Sequence, residues 1–334
     1  MSVSWLRARY ADDTWTAHTT TKFAMGSVVG PAIVLTLAGR AYAKGSLSVS
    51  GSIAAAIVGL VTVSHPYSAN AWLLTIFYLT GTALTRYKQS VKETTVLADV
   101  SHTSLSEKGK KGPARTWVQV LANSMTAVTL GLIHQIYVYD PSLCFGASTL
   151  SLWNDVLLVG VLAHYACATA DTYSSELGIL STTPPVSILN LQPVPRGFNG
   201  GVSALGLFGA LMGGLIMGVL AMLTFPVCAS TNRAELVIVG VFSGLGGSLL
   251  DSLLGATLQA TALDKESKKV IEAHGGKHAK VDGKTATTIG AAWGNYLDNN
   301  QVCESGVKCS DQPNDYGGLC RISFHLEDRC PVFN

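Results

Sequence analysis

Val202-Ser-Ala-Leu-Gly-Leu-Phe-Gly-Ala-Leu-Met-Gly-Gly-Leu-Ile-Met-Gly-Val-Leu-Ala-Met-Leu-Thr-Phe-Pro-Val227 contains no ionisable side chain. A hydrocarbon core about 30 Å thick is crossed by roughly 20 apolar residues in a helix, so this stretch alone predicts a membrane span. The composition agrees. Of 334 residues 48% are hydrophobic and only 13% charged, against roughly 25% charged in soluble domains. The chain has 34 glycines, a residue commoner in spanning helices than in soluble ones. Its formal net charge of +2 supplies no field that would draw nucleic acid, and no nucleic-acid partner is expected.

Working outward, six further apolar stretches read as spans: Phe23–Ala41, Ser50–Ser64, Ala69–Leu84, Thr116–Tyr137, Asp155–Ala170 and Leu236–Leu254. The fold class expected is therefore all-α, a polytopic integral membrane protein of about seven helices, six to eight in range. Thr285–Leu297 is the weaker candidate for an eighth. Residues 1–22 form a polar N-terminal segment, residues 23–300 the transmembrane domain and residues 301–334 a polar tail containing cysteines. The first 22 residues carry Arg7, Arg9, Asp12 and Asp13 and lack the pattern of a cleaved signal or transit peptide. The first span is thus expected to be retained and to direct the chain to an endomembrane such as the endoplasmic reticulum.

Basic loops stay in the cytoplasm. Arg86–Thr116 holds Arg86, Lys88, Lys92, Lys108, Lys110, Lys111 and Arg115, and Asp264–Lys284 holds six lysines. Between Ile136 and Leu152 there is no Lys or Arg, and Pro226–Ala234 has only Arg233. The pattern places Arg86–Thr116, Asp171–Gly201 and Asp264–Lys284 together on the cytoplasmic side. For the first helix, Arg7, Arg9 and Lys22 compete with Arg40 and Lys44, and the charges leave its direction open.

Polar residues inside apolar spans are costly and point to function. Arg115, Gln119, Asn123 and Thr126 fall on one stripe at helical spacing in the fourth span; this is either a polar seam between packed helices or the wall of a site. After the fifth span comes Asp171-Thr-Tyr-Ser-Ser-Glu-Leu-Gly178. If the helix continues, Thr172, Ser175 and Glu176 share a face with Asp171 at its edge. Two carboxylates beside hydroxyls at a membrane boundary suit Mg²⁺, which takes one or two carboxylates and completes its shell with phosphate and water; the plain alternative is a polar helix end. His164 reads as a packed polar residue. Pro193-Val-Pro-Arg-Gly-Phe-Asn-Gly-Gly-Val-Ser203 leads into the sixth span, where backbone N–H groups and Arg196 would attract an anion, although most such Gly-Gly turns only reverse the chain. In the seventh span Gly244, Gly247, Ser248, Asp251, Ser252, Gly255 and Gln259 project to one side. Asp251 carries the most information, because a carboxylate deep in an apolar helix needs a cation, a proton or a basic partner. The pairs Gly209/Gly213 and Gly214/Gly218 read as helix packing.

Five segments in order resemble the membrane family that includes transmembrane protein 19 and plant phytyl-phosphate kinase, long described as a domain of unknown function (DUF92). They are Arg115-Thr-Trp-Val-Gln-Val-Leu-Ala-Asn123, Asp171–Gly178, Asn199-Gly-Gly-Val-Ser-x-x-Gly206, Gly247-Ser-Leu-Leu-Asp-Ser-Leu-Leu-Gly-Ala-x-x-Gln259 and Leu297-Asp-Asn-Asn300. The resemblance implies a helical membrane fold. In its plant branch it implies transfer of a phosphoryl group from a nucleoside triphosphate, CTP foremost, to an isoprenoid monophosphate. On that reading Asp171, Glu176 and Asp251 hold Mg²⁺, while Arg115, Arg196 and Lys110 or Lys111 offset phosphate charge. Backbone N–H groups from Asn199 through Gly200 and Gly201 to Val202 cradle a phosphate. Gln119, Asn123, Thr172, Ser175, Ser203, Ser252, Gln259 and Asn299 complete the binding set, and glycine-faced helices near Gly247 and Gly255 leave a lateral groove for the prenyl chain. Its rivals are a cytidylyltransferase forming a CDP-lipid, a transporter built around Asp251 and a scaffold without catalysis.

The chain departs from the family after Asn300, where relatives continue into a last apolar helix. Here Cys303, Cys309, Cys320 and Cys330 follow in a polar tail. Two disulfides, a zinc site of unfamiliar spacing, or an unstructured tail from an altered transcript or gene model are the three readings.

Overall fold

The structure, a computed structural model, describes residues 28–87, 97–98, 114–146, 152–267, 269–272 and 286–290. Eight α-helices occur among them: α1 Val29–Ala43, α2 Val49–Val63, α3 Ser68–Arg86, α4 Trp117–Ala122, α5 Met125–Ile133, α6 Leu152–Gly178, α7 Ala204–Thr224 and α8 Ala234–Leu258. Helices α6, α7 and α8 are long and apolar enough to cross a membrane; α1, α2 and the α5 segment are apolar but shorter. At 1.5 Å per residue the 15 residues of α1 and of α2 span only about 22 Å. Helix α3 has 19 residues, but Asn70, Thr75, Thr80, Thr82 and Thr85 dilute its apolar character. The expectation of seven full spans thus reduces to three clear ones with shorter apolar helices around them.

Helices α6, α7 and α8 form the centre, and glycine lets them approach. The two glycine pairs of α7 serve different partners, because one residue turns a helix by about 100°. Gly209 and Gly213 lie on the α6 backbone at Tyr173 and Ala170, whereas Gly214 and Gly218 lie on α8 at Gly240 and Val237. A Cβ added at Gly240 would sit 2.6 Å from Gly218 Cα, so backbone meets backbone. These contacts make α7 antiparallel to both neighbours and leave α6 and α8 parallel. Leu158, Leu162, Tyr165, Met217, Ala221 and Leu236 fill the core with Leu73 of α3. Phe208, Ile238 and Phe242 remain on the outside, where a bilayer supplies their solvent.

The fourth expected span is not one helix. It breaks at Asn123–Ser124 between α4 and α5, and a π-helical turn, His134–Val138, ends it. Polar side chains satisfy the helix ends so made, Gln119 at the start of α4 and Asn123 and Ser124 at the break. Gln119 Oε1 accepts from the Thr116 N–H at 3.0 Å. Asn123 Nδ2 donates to the Gln119 carbonyl at 2.8 Å, and Ser124 Oγ to that of Val120 at 2.7 Å. His164 Nε2 crosses from α6 to donate to the Asn123 carbonyl at 3.0 Å.

The fold is not purely helical either. Strands β1 Leu97–Ala98, β4 Ala260–Asp264, β5 Val270–Glu272 and β6 Ala286–Gly290 form a sheet in the order β1-β5-β4-β6, and β2 Val186–Ser187 pairs with β3 Gly201–Val202. The candidate eighth span therefore begins as a strand, with Thr288 opposite Ala262. Its remainder and residues 301–334 lie outside the described residues, as do residues 1–27.

The parallel pairing of Leu97 with Ile271 brings the two basic loops to one end of the bundle. Arg115 joins them there, its N–H donating to the Ser46 carbonyl at 3.1 Å and its carbonyl accepting from the Ser48 N–H at 3.0 Å. That contact sets Arg40 and Lys44, in and beside the last turn of α1, at the basic end and fixes the direction of α1, which the charges left open.

Candidate functional site

Helix α6 does continue through the Asp171 segment, ending at Gly178. Asp171 and Asp251 meet across the α6–α8 crossing, their carboxyls within hydrogen-bonding reach of each other. Two rungs of small residues set this distance. One turn earlier Cys167 packs directly on Gly247, and beside that rung Ala170 touches Gly244. One turn on from Ala170 and Gly244, Ser248 Oγ donates to Ser174 Oγ at 2.9 Å. Asp171 is half-buried and Asp251 is exposed at the bundle surface, beside Leu250 and Leu254 on the outward side of α8. Two like charges so placed repel unless a cation or a proton lies between them.

Thr172 faces Gly81 of α3, 3.7 Å from where a Cβ would stand. The guanidinium of Arg115 reaches Thr85, one turn further along α3, at 3.4 Å. Glu176 does not join the aspartates: among the described residues no three His, Cys, Asp or Glu side chains converge as metal ligands. Five residues turn a helix by about 500°, which aims Glu176 well away from the direction of Asp171. Ser175 Oγ donates back to the Thr172 carbonyl.

The Asn199–Val202 segment docks on the end of α8. Gly200, at φ +84°, lies so close to Ala256 and to the Ser252 carbonyl that a side chain has no room. Its neighbour's N–H, that of Asn199, donates to Thr261 Oγ1 at 3.0 Å, and the Gly201 N–H donates to the Phe198 carbonyl at 2.9 Å. The N–H groups of Asn199 and Gly201 are thus committed internally, which takes two donors from the expected phosphate cradle. Ser203 caps α7 by accepting from the Gly206 N–H at 3.1 Å. Arg196 donates to the Thr182 carbonyl at 2.9 Å. Gln259 is the cap that follows α8, with extended backbone, so it leaves the helical face on which the periodicity put it. Asn299, Lys110 and Lys111 lie outside the described residues.

Sequence reasoning missed two features at the opposite end. Cys144 and Cys228 form a disulfide. Nearby, the Tyr67 N–H donates to His65 Nδ1 at 2.9 Å, so His65 carries its proton on Nε2 and donates to His134 Nδ1 at 3.0 Å. His134 Nε2 in turn donates to Asn154 Oδ1 at 3.0 Å, and Asn154 Nδ2 to Asp155 Oδ1 at 3.0 Å. Burial, then the neighbouring His134, lowers the pKa of His65 to about 4. The usable signals were histidines and an asparagine at the ends of apolar segments.

Together, a glycine-packed helical bundle with three long apolar helices and a carboxylate pair near one end are the features of an integral membrane protein. The chain belongs to the family described as integral membrane protein DUF92, which it matches over residues 32–303. Protein PGR of Arabidopsis thaliana is 34% identical over 285 residues, 80% of this chain and 87% of that protein. Protein VTE6, chloroplastic, of the same plant is 25% identical over 247 residues, 73% of this chain and 64% of that one. An uncharacterized membrane protein of Methanocaldococcus jannaschii is 34% identical over 102 residues, 30% and 40% of the two chains. No solved structure matches.

Proposed function

We propose that this protein is a membrane phosphotransferase that moves the γ-phosphoryl group of a nucleoside triphosphate, CTP foremost, onto a prenyl monophosphate. The observation that carries the reading is the meeting of Asp171 with Asp251 at an edge open to lipid. Among the described residues each carboxyl has the other as its charged neighbour. This donor set fits one Mg²⁺, which commonly takes two carboxylates and leaves positions for phosphate oxygens and water. The bound cation would neutralise phosphate charge. The kinase assignment draws its support from the family, through the resemblance to plant phytyl-phosphate kinase and the 25% identity to VTE6.

Phosphoryl transfer asks chiefly for positioning and charge neutralisation. An oxygen of the acceptor phosphate bonds to the γ-phosphorus as the bond to the nucleoside diphosphate breaks. The acceptor is already an oxyanion, so no general base is required. The protein's part is to hold Asp171 and Asp251 at a fixed separation on two stiff helices. The outward side chains of Leu250 and Leu254 offer the acceptor's hydrocarbon an apolar approach from the bilayer. Arg115, held at Thr85 near Thr172, is the cation of the described residues best set to meet a phosphate on the α3 side.

The experiment offers γ-labelled CTP or ATP with Mg²⁺ and phytyl, farnesyl or geranylgeranyl monophosphate to the protein in nanodiscs. Label in a prenyl diphosphate is the expected result. Label in pyrophosphate with formation of a CDP-lipid would replace the kinase by a cytidylyltransferase. No transfer from either donor would overturn the phosphotransferase reading and turn attention to transport, which the break at Asn123–Ser124 favours.

A further inference from the structure

We propose that the Cys144–Cys228 bond is a native cystine on the non-cytoplasmic side of the membrane, which places the Asp171–Asp251 pair towards the cytoplasmic side. Two independent observations converge on this. The first is covalent. Cys144 and Cys228 lie in separate connections, α5–α6 and α7–α8, yet their Cα atoms are 5.1 Å apart. The backbone holds them in register: the Phe145 N–H donates to the Pro226 carbonyl at 2.7 Å and the Cys228 N–H to the Phe145 carbonyl at 3.0 Å. Stable disulfides belong to oxidising compartments and are rare where glutathione keeps thiols reduced. Cys167, beside the aspartates, is the free cysteine of the described residues.

The second observation is electrostatic. The connections around the cystine and the neighbouring α2–α3 turn carry Arg233 as their one Lys or Arg, whereas the loops joined by the Leu97–Ile271 pairing carry thirteen. Retention of basic loops in the cytoplasm and oxidation of the opposite end thus require the same orientation. It follows that α1 enters from the non-cytoplasmic side, since its last turn lies at the basic end. Formation needs an oxidant, here the disulfide of a thiol–disulfide oxidoreductase. One cysteine thiolate attacks that disulfide to give a mixed disulfide. The second thiolate displaces the carrier, whose two sulfurs take up the two protons the cysteines released, so that it leaves as a dithiol.

The test uses full-length chain in sealed vesicles with the cytoplasmic face outward and a membrane-impermeant maleimide-polyethylene glycol that adds mass at each thiol. In a chain with Cys167, Cys303, Cys309, Cys320 and Cys330 changed to serine, no shift is expected after dissolution in SDS, and a double shift after SDS plus reductant. A shift in SDS alone would show free thiols and overturn the cystine. For sidedness, single reporters Ser230→Cys and Gln192→Cys are placed in a chain whose own cysteines are all serine; both positions are exposed, at opposite ends. Gln192→Cys should label in intact vesicles and Ser230→Cys only after lysis. The reverse pattern would overturn the orientation. None of these readouts depends on phosphotransferase activity.

Discussion

Asp171 meets Asp251 because Cys167 meets Gly247 one turn before them. On parallel helices a contact between two residues repeats four residues on, and Ala170 with Gly244 leads in the same way to Ser174 with Ser248. The site is thus a product of helix packing: small residues set the interhelical distance, and the next turn brings polar residues to it.

If Gly247 sets that distance, Gly247→Ala must push α8 away from Cys167, since the new Cβ would fall on the Cys167 side chain. Overpacking of this kind costs about 1–3 kcal/mol. Cys167→Ala should restore most of the loss when combined with it. Thermal unfolding of the two single variants and the double variant in detergent checks this; additive losses would contradict the contact.

Gly240→Ala and Gly246→Ala should differ in their effect on stability. The first drives a methyl into the Gly218 backbone, which cannot swing aside, whereas Gly246 has no neighbour within 4 Å of the added carbon. Gly240→Ala should lower the unfolding midpoint, and Gly246→Ala should leave it equal or raise it by the helix-propensity gain of up to about 1 kcal/mol. Equal effects would show that α7 and α8 do not pack through this face.

His65 makes stability depend on pH. Its folded pKa lies near 4, below the roughly 6.5 of an unfolded histidine, so the unfolded chain takes up the proton first as pH falls. The neutral ring's contribution is complete above pH 6.5 and is lost progressively down to pH 4, a total of about 3 kcal/mol as an order of magnitude. His65→Asn should flatten the decline of the unfolding midpoint between pH 7 and pH 4.5. An unchanged slope would assign the decline to other groups.

The apolar stretches within α6, α7 and α8 were legible because only lipid or a protein core accepts runs of that length and composition. Asp171 and Asp251 were legible as polar intruders, but their mutual facing was not, since it depends on how α6 and α8 cross. The polar stripe of the fourth span was read at continuous helical periodicity, whereas Gln119 caps the start of α4 and Asn123 and Ser124 satisfy the break after it; side chains that cap resemble side chains that line a site. Strand β6 hid in an apolar stretch, although Thr287, Thr288 and Ile289 are β-branched residues that favour strands. Cys144 and Cys228 are 84 residues apart, and only the fold shows that their two connections share an end.

The central claim is that Asp171 and Asp251 together hold one divalent cation, and Mn²⁺ binding followed by electron paramagnetic resonance tests it most directly. The protein in nanodiscs should bind one Mn²⁺, displaced by Mg²⁺. Asp171→Asn and Asp251→Asn should each weaken binding at least tenfold while leaving the thermal midpoint equal or higher, because one of two like charges has been removed. Full binding in either variant, or none in the parent chain, would contradict the account.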